Sequence, residues 1–186
     1  IADFDNALRL KPDYFEALVN RGVAKKDLGM IDQAIRDYSR SIEIEASYDL
    51  AYTNRGNARM SKGDLEGAIE DFDRAISLNP NRAETVSNRG AANLRLGRVD
   101  AAIEDLGVAL RMLPDLAVAY YNIGAAHSRN MDFEAALDAY GKAIGLRRDF
   151  VEAYAEQAKV KSQMGDYHGA IADFDAAIAV NPQFAE

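Results

Sequence analysis

Residues 49–82 read DLAYTNRGNARMSKGDLEGAIEDFDRAISLNPNR, and variants of this stretch fill the chain on either side of it. Within it, Leu50–Lys62 predicts a first helix, Gly63-Asp64 a turn, and Leu65–Leu78 a second helix that Asn79-Pro80 ends. Proline lacks the N–H that a helix interior uses and pushes the residue before it out of the helical region. Each helix of about 13 residues spans roughly 20 Å. Tyr52, Ala58, Ala68, Phe72, Ala75 and Ile76 are spaced as the apolar faces of such a pair.

Outward from this stretch the same marks return at one interval. Pro12, Pro80, Pro114 and Pro182 are separated by 68, 34 and 68 residues, and Ala46 and Arg148 hold the two skipped slots. Gly22, Gly56, Gly90 and Gly124 step onward to Ala158, and Gly29, Gly63 and Gly97 step through Met131 to Gly165. Ala34, Ala68, Ala102, Ala136 and Ala170 are each followed four residues later by a bulky side chain, Tyr38, Phe72, Leu106, Tyr140 and Phe174. A lone glycine or proline says little, whereas many columns in agreement identify a repeat. The small columns let helices approach: Gly56 and Ala68 within a pair, and Ala75 against the next pair near Thr85. Tyr52 and Phe72 fill the remaining space. One pair cannot bury both of its faces, so stability must come from stacked neighbours.

The 34-residue period, the Gly22 column, the Ala34-x-x-x-Tyr38 spacing and the terminal proline resemble the tetratricopeptide repeat (TPR) family over the whole chain. The resemblance implies an all-α, right-handed superhelical solenoid of antiparallel helix pairs. It divides one solenoid, 1–186, into a half repeat 1–14 (a second helix only), full repeats 15–48, 49–82, 83–116, 117–150 and 151–184, and the start of a truncated repeat at 185–186. The column often Trp in the family holds Leu18, Tyr52, Val86, Tyr120 and Tyr154; the column usually Leu holds Arg21, Arg55, Arg89, Ile123 and Gln157; the column usually Tyr holds Lys25, Arg59, Asn93, His127 and Lys161. These departures mark an Asn-Arg-Gly subclass.

The arginines suggest an ion pair within each of the first three hairpins. Asp37, Asp71 and Asp105 stand on second helices where Arg21, Arg55 and Arg89 stand on first helices, and both change together to Ala139 and Ile123 in the fourth. In the fifth, Gln157 is expected to face Asp173. Exposed pairs of this kind contribute about 0–1 kcal/mol.

The 186 residues are 48% hydrophobic, enough for a core and too apolar for a disordered chain. Absence of Cys excludes disulfides and thiolate metal sites. A net charge of −8 argues against nucleic acid, which requires clustered cations, and against anionic membrane surfaces. No run of 18 apolar residues stands as a membrane span. Composition does not set the compartment; a soluble, cytoplasmic setting is favoured. Ile1–Lys11 reads as a helix without its partner, its Ile1, Phe4, Ala7 and Leu8 partly bare, and Phe184-Ala185-Glu186 opens a further unit. Two expectations follow: a piece of a longer array, or end-to-end self-association.

No catalytic constellation is present: no GxxxxGK[ST], GxSxG, HExxH or EF-hand loop. His127 and His168 lie one unit apart and read as structural or surface residues. Asp71/Asp73 and Asp173/Asp175 lie two apart on a helix, share no face, and read as solvated charges rather than a metal site. Neither a cofactor nor a metal is expected, and the chain does not read as an enzyme.

Asn20, Asn54, Asn88 and Asn122 form a column that Glu156 breaks. The family resemblance implies that this column faces the concave groove. An amide both donates and accepts, so a ladder of amides can hold an extended backbone, as in the superhelical repeat arm of the O-linked N-acetylglucosamine transferases, which this chain resembles. Leu50, Thr53, Asn57, Met60, Ser87, Leu94, Arg95, Tyr121 and Arg129 join it as expected groove residues. The carboxylate clamp that some family members use for acidic chaperone tails is incomplete: Asn57 and Asn88 fit, but Thr53, Val118 and Asn122 stand where basic residues belong. The expected function is therefore a protein-interaction scaffold that takes an extended or helical peptide of a protein partner. A self-assembling structural unit and the substrate-binding arm of a larger enzyme are the alternatives.

Overall fold

In the computed structural model the backbone is described for residues 1–185 and side chains for residues 1–183. The further unit expected at 185–186 reaches Glu186, outside the described residues. Among those described there are eleven α-helices, a final 3₁₀ turn at Pro182–Ala185, and no strand. The helices are α1 Ala2–Leu10, α2 Phe15–Asp27, α3 Ile31–Ile44, α4 Asp49–Lys62, α5 Leu65–Leu78, α6 Ala83–Arg95, α7 Val99–Met112, α8 Ala117–Arg129, α9 Phe133–Leu146, α10 Val151–Gln163 and α11 Tyr167–Val180. They form an all-α solenoid of helix pairs. Two compact units divide the chain, Ile1–Leu96 and Gly97–Glu186. In the first, α2/α3 and α4/α5 are hairpins, with α1 packed on α2 and α6 packed on α5; in the second, α8/α9 and α10/α11 are hairpins and α7 packs on α8.

Three of the hairpins close where a glycine meets a ring. A Cβ placed on Gly22 would stand 2.5 Å from the Tyr38 ring, on Gly56 2.7 Å from Phe72, and on Gly124 2.7 Å from Tyr140. All three rings are buried, and filling such a site with a side chain of this size contributes about 1.5–3 kcal/mol. The alanines Ala34, Ala68 and Ala136, fully buried beside them, complete the close contact. The α1 helix buries no residue.

The turns between paired helices use the left-handed region. Gly29, Gly63, Gly97 and Gly165 have φ between +76° and +86°, and Met131 occupies the same place at φ +56°. In this turn Asp64 N–H donates to Arg59 O, as Asp132 N–H donates to His127 O. The α5 and α11 helices add an N-cap, with the Asp64 and Asp166 carboxylates accepting from the Gly67 and Gly169 N–H groups.

The arginine column is a bidentate ion-pair row. Arg21 Nε and Nη2 donate to Asp37 at 2.9 and 2.6 Å, and Arg55 does the same to Asp71 at 2.9 and 2.7 Å. Each guanidinium also reaches back sixteen residues: Arg21 to Asp5, Arg55 to Ser39 and Arg89 to Asp73. A second cation closes on each carboxylate, Lys25 on Asp37 at 2.7 Å and Arg59 on Asp71 at 3.0 Å. Pairing with Asp37, against partial burial, raises the Arg21 pKa above its ordinary value. Arg89 belongs to the first unit and Asp105 to the second.

Two expectations are corrected here. Asp71 is not a solvated charge: its side chain is 4% exposed between two guanidinium groups. Gln157 does not take Asp173; its amide donates to Leu137 O, while Lys161 pairs with Asp173 at 2.7 Å.

Two variants test this account. Left-handed backbone costs an L-residue with a Cβ roughly 1–2 kcal/mol, and Met131 is 76% exposed, so its side chain adds little packing. Met131→Gly should raise the thermal midpoint by a few degrees; an unchanged or lower midpoint contradicts the strain. For the ion pair, Arg55→Ile alone should cost about 2–4 kcal/mol in urea unfolding, because the buried Asp71 carboxylate loses its bidentate partner and keeps only Arg59. The double change Arg55→Ile/Asp71→Ala copies the natural Ile123/Ala139 combination, and Arg59 keeps Gly67 O and Asp64 as partners. It should cost less than the sum of the singles by about 1–3 kcal/mol, and additive losses would refute the coupling.

Candidate functional site

The α4 and α6 helices run side by side in one direction, both placed by packing on α5. Thr53 and Thr85 meet at 3.1 Å in the buried seam between them, and Thr53 also hydrogen-bonds its own helix at Asp49 O. At one end of the seam the Asp49 carboxylate accepts from Asn79 and Arg82; at the other, Arg95 Nη1 donates to Met60 O at 2.8 Å. These contacts fix the register of the two helices, and that register brings Asn57 and Asn88 together. Asn88 Nδ2 donates to Asn57 Oδ1 at 3.0 Å, and both residues are half-buried.

The donor and acceptor inventory of that pair is informative. Each side-chain amide carries two N–H donors and a carbonyl with two lone pairs. After the mutual bond, Asn57 retains both N–H groups and Asn88 retains its carbonyl, and each residue keeps part of its surface exposed. Asn54, one turn earlier, donates to Leu50 O of its own helix at 2.9 Å and keeps its carbonyl. A donor next to an acceptor is what a passing peptide unit requires.

The other expected groove residues separate by burial. Thr53, Ser87 and Leu94 are buried at 7%, 3% and 5% exposure, so neighbouring packing takes up their side chains and leaves little for a ligand to touch. Leu50 is half-buried, and Met60 packs against the Ala68, Phe72 and Ala92 cluster with part of its surface exposed. Asn20 on α2 and Arg95 on α6 are exposed. In the second unit, Asn122 is half-buried and Arg129 exposed. Tyr121 there is chiefly a core ring, 5.0 Å from Phe150 and 5.9 Å from Tyr140, and burial raises its hydroxyl pKa. Sequence reasoning placed Asn57 on the face but missed its bond to Asn88. The 31-residue separation departs from the 34-residue period, so no column displays it.

His127 stands in the last turn of α8, its Nδ1 3.3 Å from Asp132, and His168 lies at the start of α11. Among the described residues, no three His, Asp or Glu side chains gather as a metal site, and no helix is long and apolar enough to cross a membrane.

Models of the tetratricopeptide repeat match residues 15–48, 117–150 and 151–184, and a TPR repeat model matches 56–97. No curated protein matches the chain. Among solved structures, that of MamA is 26% identical over 88% of this chain and 96% of that one, with a TM-score of 0.73. TTC0263, a thermophilic TPR protein of Thermus thermophilus, is 19% identical, covers 90% of this chain and 92% of its own, and has a TM-score of 0.80. YrrB, described as a TPR protein with an unusual peptide-binding site, is 17% identical over 96% and 92%, with a TM-score of 0.69. At these last two identities the likeness extends to the fold alone.

Proposed function

Because the chain belongs to the tetratricopeptide repeat family, we propose that it is a protein-interaction scaffold whose first helices receive an extended segment of a partner protein. The observation that carries this reading is the Asn57–Asn88 pair. Its remaining N–H groups and carbonyl can donate to and accept from one peptide unit without reading a side chain. The Asn54 carbonyl adds an acceptor one turn away, and Asn20 offers a further amide in the same unit. Leu50 and Met60 supply apolar flanks, and Arg95 a cation at the end of the seam. In the second unit Asn122 and Arg129 repeat the amide and cation. The segment takes its backbone bonds from amides rather than from a strand edge, so affinity depends weakly on sequence and more on the segment being extended. Binding, not catalysis, is the role this surface suits.

Association through α11 is the second reading. Tyr167 and Ile171 on that helix are 66% and 58% exposed, more apolar surface than a solvated helix needs. Light scattering over a wide concentration range separates the two. Mass that rises with concentration and returns to the monomer value in Ile171→Glu supports association; a constant mass dismisses it.

The groove reading is tested on an array of unstructured peptides. Asn54→Ala/Asn57→Ala/Asn88→Ala should weaken the bound peptides about 10–50-fold, as expected for losing two or three net hydrogen bonds, with helix content unchanged by circular dichroism. Equal affinity in the folded variant would remove the asparagines from the site.

A further inference from the structure

The second unit holds an open, mostly apolar pocket of about 340 Å³ lined by Pro114, Tyr120, Lys142, Gly145 and Leu146. It lies between the turn after α7, the first turn of α8 and the last turn of α9. Its origin is visible 68 residues, or two repeats, earlier in the chain, at Ala46, Tyr52, Arg74, Ser77 and Leu78. There the tyrosine is nearly closed off. Tyr52 is 9% exposed, its hydroxyl donates to Ala46 O, and the Arg55 and Arg74 guanidinium groups lie 5.7 and 6.0 Å from its ring. At Tyr120 part of this cover is missing. Ile123 stands where Arg55 supplies a guanidinium, and Gly145 stands at the position of Ser77. Tyr120 is left half-buried and Leu146 46% exposed.

Gly145 is the informative residue. Glycine inside a helix costs about 1 kcal/mol relative to alanine. The usual reasons for tolerating it are missing: Gly145 is helical rather than left-handed, and a Cβ there would meet nothing within 4 Å. No close approach of another helix needs it. The absent side chain leaves room in the wall of the pocket, which Gly145 lines.

Lys142 is the charged residue in the pocket lining, in a chain of net charge −8. Lys142 Nζ stands 5.9 Å from the Tyr120 ring and is held by Asp138 at 2.6 Å. That pair is exposed on both sides, 54% and 65%, so exchanging Asp138 for an incoming carboxylate costs little. Arg147 and Arg148 follow Leu146 and are exposed, with Arg147 lying over the Phe150 ring.

We propose that this pocket is a second docking site, separate from the asparagine face, which takes one large apolar side chain of a partner protein segment with an adjacent Asp or Glu on Lys142. The apolar side chain lies against the Tyr120 ring, Pro114 and Leu146, in the space Gly145 leaves. The neighbouring carboxylate gives the orientation by charge complementarity.

Random heptapeptides displayed on phage are selected on the wild-type protein, and the enriched peptides are synthesised with a fluorophore for anisotropy titration. Enrichment of a large apolar residue beside Asp or Glu is expected. Gly145→Leu, which fills the pocket, should weaken these peptides at least 10-fold, and Lys142→Glu about 5–10-fold. Leucine in place of an exposed helical glycine favours the helix, so a melting midpoint no lower than wild type verifies that Gly145→Leu is folded. The proposal is overturned if no heptapeptide is enriched, or if enriched peptides bind Gly145→Leu as tightly as wild type. Peptides that lose affinity only to Asn54→Ala/Asn57→Ala/Asn88→Ala belong to the other face and count against the pocket.

Discussion

The rings of Tyr38, Phe72 and Tyr140 rest directly on the backbone of Gly22, Gly56 and Gly124, at separations that leave no room for a Cβ. Close packing at that point sets how near the two helices of a hairpin lie, because protein interiors tolerate neither a void nor an overlap of one methylene. The buried alanines on the second helices accept the same approach from the other side. Once that distance is set, the residues sixteen positions apart on paired helices face one another, and the rest of the ion-pair row follows.

The row shows how a repeat accommodates charge inside a packed surface. Asp37 and Asp71 are nearly out of solvent, yet each receives a bidentate guanidinium and a second cation. A carboxylate without those partners would be costly, since removing one member of a buried pair leaves an uncompensated charge. That explains the joint change to Ile123 and Ala139, and why Asp173, retained in the repeat where Gln157 replaces the arginine, pairs with Lys161 instead. The previous helix changes as well: the positions to which the guanidinium groups reach back, Asp5, Ser39 and Asp73, become Gly107 and Gly141 in the later repeats.

The same period explains where the chain is free to differ. Columns that fill the hairpin core hold Gly, Ala or a ring in nearly every repeat. Positions on the outer ends of helices vary, and there Gly145 lines the pocket at the place of Ser77, while Ile123 stands where Arg55 lies beside the Tyr52 ring. The two surfaces proposed for binding each combine residues the repeat retains with residues it exchanges. The Asn88 column recurs through four repeats while Asn57 stands in one alone, and Pro114 keeps the repeat's proline while Ile123 and Gly145 depart from earlier repeats.

The sequence alone determined the repeat, the helix pairs and their limits to within a residue or two; Leu65–Leu78 and the Gly63 turn are found where the pattern sets them. It also determined which residues face each other within a hairpin, because a period and a turn of known length fix that register. The Arg–Asp pairs of the first two hairpins were legible for this reason. What the tertiary structure decided lies between helices that are not partners in a hairpin, or depends on how deeply one helix covers another. Asp71 read as solvated because spacing along its own helix says nothing of Arg59 on another. Thr53, Ser87 and Leu94 read as groove residues because position on a helix does not tell how deeply a neighbour covers it. The Asn57–Asn88 bond, 31 residues apart, and the meeting of Pro114, Tyr120 and Gly145 depend on the tilt and offset of stacked helices. Those are set by how whole side chains interlock, a sum of contacts that no single column of the repeat contains.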